Sequence, residues 1–231
     1  LTMEAARWAR LPQLRLLEEP QAACYDWLHR HRADVATALG EARLLLVCDV
    51  GGGTTDLTLI QIETGEAGPR LTRIGVGDHL MLGGDNMDLT LARTIESRLG
   101  GGRLNAGELS QLLQQCRGAK ERLLATDAPE RTSVTVLGGG TQLIGGARSA
   151  ELSRAEVWAL LVDGFLPRVG SAERPQSRRA AVVEFGLPYA ADPAISRHLA
   201  AFLAQHADAA RQALGKRALP SYPPMPDAVL L

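Results

Sequence analysis

The chain has 231 residues, with 25 lysines and arginines against 26 aspartates and glutamates, and its formal net charge is −1. This balance gives no electrostatic footprint for nucleic acid or for an anionic membrane, so neither is an expected partner. The 3 cysteines are scattered in apolar surroundings, and no apolar run approaches the ~20 residues of a membrane span. We therefore expect free thiols in a reducing compartment, and the cytoplasm is the predicted location.

The first 30 residues predict two helices joined by a short strand. Residues 2–11 have a helical pattern that Pro12 stops, and residues 14–17 read as a strand. A second helix then begins with Pro20 in its first turn. Glu19 lies at the start of this helix, where the macrodipole favours an acid, so it is a capping acid or a functional one.

A glycine turn between two strands is the central feature of the sequence. Residues 44–48 are an apolar run typical of a buried strand, and residues 57–62 alternate like its antiparallel partner. Between them, Gly51, Gly52 and Gly53 remove every Cβ, so backbone N–H groups can converge on an anion. The turn therefore predicts a phosphate cradle.

Hydroxyls and carboxylates flank these glycines in the sequence DVGGGTTD, residues 49–56. Thr54 and Thr55 offer hydroxyl donors to phosphate oxygens. Asp49 and Asp56 bracket the turn, and carboxylates beside phosphates make sense mainly with Mg²⁺ between them. The alternative is a plain glycine hairpin with two solvated aspartates, because glycine-rich turns are common.

A second glycine pair follows the third predicted strand, residues 69–77. Gly83 and Gly84 allow the backbone to approach a ligand, and Asp85 is the predicted cap of a helix. Its N-terminus, next to the cradle, would favour anions. The apolar positions of this helix recur every four residues: Met87, Leu91, Ile95 and Leu99.

The middle of the chain predicts further helices and a hairpin. Residues 100–102 are glycines that end one helix, and Asn105 with Glu108 starts another, which carries Lys120. Residues 132–137 read as a strand that returns through residues 141–144. Ser153 with Glu156 then forms a capping box before another apolar helix.

The last quarter predicts a strand, a helix, a linker and a final strand. Residues 180–185 read as the first strand, and Asp192 with Pro193 starts the helix. Residues 220–226 are a proline-rich linker, and residues 227–231 an apolar strand. Because both ends interrupt predicted elements, the chain is expected to be an excised fragment.

Four motifs occur in the order found in Hsp70 chaperones of the actin-like ATPase superfamily: EEPQAA (18–23), DVGGGTTD (49–56), LGGDNMD (82–88) and CRGAK (116–120). The chain resembles a divergent bacterial branch of that family over roughly residues 3–165 and the final strand. It departs from the family pattern at Thr55, usually aromatic, and in the adenosine-binding helix at Arg117, Glu121 and Leu124.

The resemblance implies an α/β fold: a ribonuclease H-like lobe of an actin-like ATPase with an inserted α+β subdomain. Residues 1–76 and 152–231 would form the lower subdomain, with an insertion at about 168–226. Residues 77–151 would form the upper subdomain.

The resemblance also implies ATP or ADP with Mg²⁺ as cofactors. Asp49, Asp56, Thr54 and Glu19 would be catalytic, with Asp49 and Asp56 orienting Mg²⁺ through water. The nucleotide would be bound by Gly51, Gly52, Gly53, Thr54, Thr55, Gly83, Gly84 and Lys120. Clients, co-chaperones and the first lobe would belong to the full-length protein, and the isolated fragment would be inactive. Two alternatives remain: a superfamily member in which nucleotide controls assembly or reactivation, and a degenerate scaffold that does not hydrolyse nucleotide.

Overall fold

The computed structural model describes residues 1–11, 14, 16–65, 68–100, 102–138, 146–176, 190–218 and 223–231. The predicted strand at residues 180–185, the return strand at 141–144 and part of the linker at 220–226 lie outside these ranges. Among the residues described, no helix is long and apolar enough to cross a membrane.

Helices and strands alternate along the chain in a mixed α/β order. The elements are α1 (Thr2–Trp8), α2 (Glu19–Arg30), α3 (Val35–Leu39), β1 (Leu44–Val50), β2 (Thr55–Gly65), β3 (Gly68–Val76), α4 (Gly84–Leu99), α5 (Ala106–Leu123), β4 (Arg131–Leu137), β5 (Ala147–Ser153), α6 (Arg154–Val157), a π-helical turn (Trp158–Val162), α7 (Asp163–Phe165), α8 (Ile195–Gln205), α9 (Ala207–Leu214) and β6 (Ala228–Leu230).

The main sheet has the strand order β3-β2-β1-β6. β1 and β2 pair antiparallel from Leu44 with Gln61 to Val50 with Thr55, and β6 pairs parallel with β1. The predicted hairpin and the final strand are confirmed. The strands extend further into the octapeptide than expected, so the turn itself is residues 51–54.

Period-two alternation gives this sheet two different faces. One face packs against α8 and α9 through the side chains Leu44, Leu46, Leu57, Leu59, Phe202, Leu203, Ala210 and Leu214. On the other face, Cys24 of α2 packs against Val47 and Ile60. The sheet therefore lies between two helical layers.

A second core forms where α4, α5 and the α6–α7 segment pack on the β4–β5 hairpin. Its buried residues include Leu91, Ile95, Leu112, Cys116, Leu123, Val134, Val136, Leu152, Val157 and Leu161. The apolar faces predicted for α4 and α5 contribute to this core, which confirms their periodicity. Ile195 at the start of α8 also belongs to it. The subdomain boundaries given above stay predictions.

Two local predictions were wrong, and a third, the return strand at 141–144, lies outside the described residues. Leu14, Leu16 and Leu17 are exposed and form no strand, because their backbone groups make no hydrogen bond to a described strand. The described return strand is β5, at residues 147–153, and it pairs with all of β4. The N-cap of α4 is Gly83, whose N–H donates to Asn86 Oδ1 at 2.9 Å, so Asp85 does not cap this helix.

Candidate functional site

The glycine turn is tied to the beginning of α4 by backbone hydrogen bonds. Gly51 N–H donates to the Thr54 carbonyl at 2.8 Å and closes the turn. Gly84 N–H donates to the Gly51 carbonyl at 3.0 Å, and Asp85 N–H donates to the Gly52 carbonyl at 2.7 Å. These two N–H groups at the helix N-terminus therefore bind the turn, and we do not assign them to a phosphate.

This tie orients the other donors of the turn. In a trans peptide the C=O and the following N–H point in opposite directions. Because the Gly51 and Gly52 carbonyls face α4, the N–H groups of Gly52 and Gly53 face away from it. Within the described part of the chain, the N–H groups of Gly52, Gly53 and Thr54 have no hydrogen-bond acceptor. An exposed turn with adjacent unpaired N–H groups is a suitable anion cradle.

Gly83 and Gly84 allow this close packing. A Cβ at Gly83 would lie 2.5 Å from the Gly51 carbonyl oxygen and 2.5 Å from that of Gly52. Backbone would have to shift to accept any side chain there. At Gly84 the nearest atom to a Cβ is Lys120 Nζ, at 3.4 Å. The structure thus brings the two glycine motifs and Lys120 together.

Asp49 and Asp56 are register partners across β1 and β2, directly beside the turn. Both line an open cleft of about 570 Å³ together with Glu19 at the start of α2. The other lining residues are Glu18, Pro20, Leu57, Thr58, Arg73, Val76, Gly77 and His79. The structure therefore brings these three predicted catalytic carboxylates to one cleft.

The two threonines of the motif have different environments. Thr54 Oγ1 donates to Asp56 Oδ2 at 3.3 Å, so its hydroxyl contacts a carboxylate that lines the cleft. Thr55 is fully buried, and its hydroxyl donates to the Leu82 carbonyl at 2.9 Å. Thr55 therefore fixes the connection between β3 and α4 just before Gly83, and its hydroxyl does not face the cleft.

His79 is a cleft residue that sequence reasoning missed, because the pattern there indicated only a structural residue. Its Nδ1 contacts Asp56 Oδ1, while the other carboxylate oxygen accepts from Thr54. The side chain of His79 is exposed. No spacing signal could have paired it with Asp56, since the contact spans the whole of β2 and β3.

Lys120 is engaged in the interior. Its Nζ lies 2.6 Å from Asp88 Oδ1 and donates to the Gly84 carbonyl at 3.2 Å. Burial raises the pKa of the Asp88 carboxyl, and the Lys120 ammonium partly opposes this. Burial also raises the pKa of the nearby Cys116 thiol to about 12, so this cysteine stays protonated.

The other cations of α5 also have protein partners. Arg117 Nε lies 3.3 Å from Glu121 Oε1 on the exposed helix surface. Arg122 Nη1 donates to Thr132 Oγ1 at 3.2 Å. Arg122 is therefore engaged with β4.

The carboxylates of the cleft fit a magnesium ion that keeps most of its water. No group of three or more His, Cys, Asp or Glu side chains in the described ranges has the geometry of a direct metal site. Mg²⁺ commonly uses one or two carboxylates, water and substrate phosphates, which is the donor set that Asp49 and Asp56 offer.

A mixed α/β fold with a glycine turn between two central strands is consistent with the actin-like ATPase class. The chain belongs to the Hsp70 family, because a family model described as "Hsp70 protein" matches residues 1–172. Elements α8, α9 and β6 lie beyond the matched residues.

Curated relatives agree with this assignment. The chain is 35% identical over 162 residues to a "Chaperone protein HscA homolog" of Acidithiobacillus ferrooxidans, covering 69% of this chain and 23% of the relative. Homologues with the same description match in Ralstonia nicotianae, at 33% over 173 residues, 75% of this chain and 25% of the relative. The match in Pseudomonas paraeruginosa is 35% over 170 residues, 72% of this chain and 23% of the relative. The chain thus matches about a quarter of the length of these relatives.

Proposed function

We propose that this chain is the second lobe of the ATPase domain of a larger Hsp70-type chaperone, which binds ATP with Mg²⁺ and hydrolyses it to switch conformation. The observation that carries this proposal is the arrangement of the glycine turn. The Gly52 and Gly53 N–H groups, which have no acceptor among the described residues, lie at the same end of the sheet as Asp49 and Asp56. Clients, co-chaperones and a cytoplasmic location belong to the same proposal for the full-length protein.

In the proposed mechanism the chain's own groups bind and orient. The N–H groups of Gly52, Gly53 and Thr54 bind phosphate oxygens where charge develops during transfer. Asp49 and Asp56 would hold Mg²⁺ through water, and the Thr54 hydroxyl holds Asp56 in place by donating to its Oδ2. Mg²⁺ supplies the positive charge that lets carboxylates and phosphates share one cleft. Glu19, the first residue of α2, would help to transmit the nucleotide state of this cleft to the rest of the protein.

The test is Asp49→Asn in the full-length protein. We expect ATP turnover to fall about 10- to 100-fold, which is the range for residues that act on a metal through its ligands. The affinity for ATP should stay nearly unchanged. Asp127→Asn, at an exposed position in the connection between α5 and β4, is the matched control. Equal turnover in Asp49→Asn and the parent would remove Asp49 from the mechanism.

A second experiment concerns the chain alone. We expect the 231-residue chain to fold, to show no measurable ATPase activity and to bind nucleotide at best in the millimolar range. A few exposed N–H donors contribute about 0.5–1.5 kcal/mol each, which does not offset the entropy of fixing a triphosphate. Micromolar binding of ATP by the chain alone would contradict the proposed division of the site between two lobes.

The contact of Lys120 with Asp88 favours a second candidate, a chaperone-like scaffold without nucleotide. If Lys120 and Arg122 stay engaged with Asp88 and Thr132, neither cation reaches the nucleotide. Calorimetric titration of the full-length protein with ATP and Mg²⁺ separates the two candidates. Heat of binding supports the ATPase, and its absence supports the scaffold.

A further inference from the structure

Helix α2 carries Glu19 to the cleft but is packed loosely on the sheet. Cys24 is the buried residue of this helix. A cavity of about 100 Å³ beside Cys24 and Trp27 separates part of α2 from the sheet. A small gap also lies between Cys24 and Arg73. Apolar packing alone therefore leaves the first turn of α2 weakly positioned.

An ion pair holds this first turn. Glu18 is the N-cap of α2, and its carbonyl accepts the first helical hydrogen bond from Ala22 N–H at 2.9 Å. The Glu18 side chain makes no capping bond. It reaches instead across to β3, where its Oε2 contacts Arg73 Nη1.

Arg73 is well placed for this contact. It is the register partner of Ile60, and both line the gap beneath α2. Its side chain is 34% exposed, against 59% for that of Glu18, so the pair is partly screened by solvent. The guanidinium and Glu18 line the same cleft as Glu19.

We propose that Arg73 is a positioning residue: its ion pair with Glu18 fixes the first turn of α2 so that Glu19 faces Asp49 and Asp56. The role of Glu19 in turnover rests on the proposed function, whereas the brace between Arg73 and Glu18 does not. Because Glu18 and Glu19 are adjacent, moving one displaces the other.

An electrostatic role for Arg73 makes a different prediction. If Arg73 acted only by offsetting the carboxylates of the cleft, Arg73→Gln would weaken Mg·ATP binding and Glu18→Gln would strengthen it. If the pair is a brace, either substitution breaks the same contact. Both substitutions then weaken the positioning of the first turn of α2, and the double variant has no larger effect than either single variant.

The first test is amide hydrogen exchange in the 231-residue chain. Arg73→Gln and Glu18→Gln should each accelerate exchange at Ala22 and the following amides about two- to five-fold, the range of a solvent-exposed ion pair. Arg70→Gln, on the same strand, is the control and should change nothing there. The reversed pair Glu18→Arg with Arg73→Glu should restore protection. Unchanged exchange in both single variants overturns the brace.

The second test asks whether the brace positions Glu19. In the full-length protein, Arg73→Gln should lower kcat for ATP with little change in KM. The conservative variant Arg73→Lys should keep most of the parent kcat. In a Glu19→Gln background, Arg73→Gln should have no further effect, because Arg73 acts through Glu19. Additive losses, or a change confined to KM, overturn the positioning role.

A parent protein without ATP turnover would refute the proposed function but not the brace. The positioning role is then decided by a crystal structure of the Arg73→Gln chain. Glu19 outside the cleft supports it, and Glu19 still beside Asp49 and Asp56 overturns it.

Discussion

The two faces of the main sheet come from the same strands but differ in how they are covered. Beneath α8 and α9, Leu44, Leu46, Leu57 and Leu59 are 0–6% exposed and form a continuous core. Beneath α2, Val47 and Ile60 are buried, and the same face then continues into Asp49, Asp56 and Thr58. One face is closed, and the other opens into an acidic cleft.

This difference shows how one strand can serve stability and function at once. Successive side chains point to opposite faces, so a carboxylate can face the cleft while its neighbours stay in the core. Cys48 packs in the closed core between Val47 and Asp49 of the open face. We therefore expect the closed face to dominate the free energy of unfolding.

The largest expected effect compares one leucine from each face. Leu59→Ala removes a fully buried side chain from the closed core and should lower the free energy of unfolding by about 2–5 kcal/mol. Leu71→Ala, partly buried beneath the loosely packed α2, should cost about 1 kcal/mol. Urea unfolding of the 231-residue chain measures both. Equal losses would mean that the two faces are packed equally well.

An intermediate effect is expected where the glycine turn meets α4. Gly83→Ala places a Cβ 2.5 Å from two backbone oxygens, so the turn must shift. This shift should lower the free energy of unfolding by about 1–3 kcal/mol. Gly118→Ala is the matched control. A Cβ there meets nothing within 4 Å in the middle of α5, so it should stabilise by about 0.5–1 kcal/mol. Thermal unfolding of both variants is the measurement, and a stable Gly83→Ala variant would show that the turn is not held by α4.

The smallest effect concerns pH and the capped helices of the second core. Hydrogen bonds from the side chain and backbone of Ser153, with Arg98, lower the pKa of Glu156 from its ordinary value of 4.5 to about 2. Because this pKa is depressed on folding, the stabilisation is present above pH 4.5 and is lost as pH falls towards 2.

Glu156→Gln tests this assignment. It should lower the free energy of unfolding at pH 7 by less than about 1 kcal/mol, since the side chain is 39% exposed. The difference from the parent should shrink as the pH approaches 2. Denaturant unfolding at several pH values measures this difference. A difference that is constant with pH would assign the effect to helix propensity and not to the cap.

Local sequence patterns predicted much of this structure. The capping boxes at Asn105 with Glu108 and at Ser153 with Glu156 form as expected, because both partners lie within one helical turn. The glycine turn with its two strands was predicted for the same reason, and the resemblance to Hsp70 chaperones is confirmed by the family match. These features depend on residues that are close in the sequence.

Predictions that depended on distant partners were less reliable. Residues 14–17 have a strand-like pattern, but no described strand pairs with them. Thr55 was expected to face a phosphate, yet its hydroxyl bonds to Leu82. The role of Lys120 at the nucleotide stays a prediction, but sequence reasoning did not foresee that its ammonium lies against Asp88. In each case a residue from another element decided the contact.

By itself, the sequence determined the alternation of the strands, the capping boxes of two helices, the position of the glycine turn and the family. Only the tertiary structure decided which groups of the turn lack a partner among the described residues, because that depends on the Gly84 and Asp85 N–H groups of α4 donating to the Gly51 and Gly52 carbonyls. It also decided that Arg73 and His79 reach the cleft, since side chains from separate elements meet only after the sheet and helices have packed.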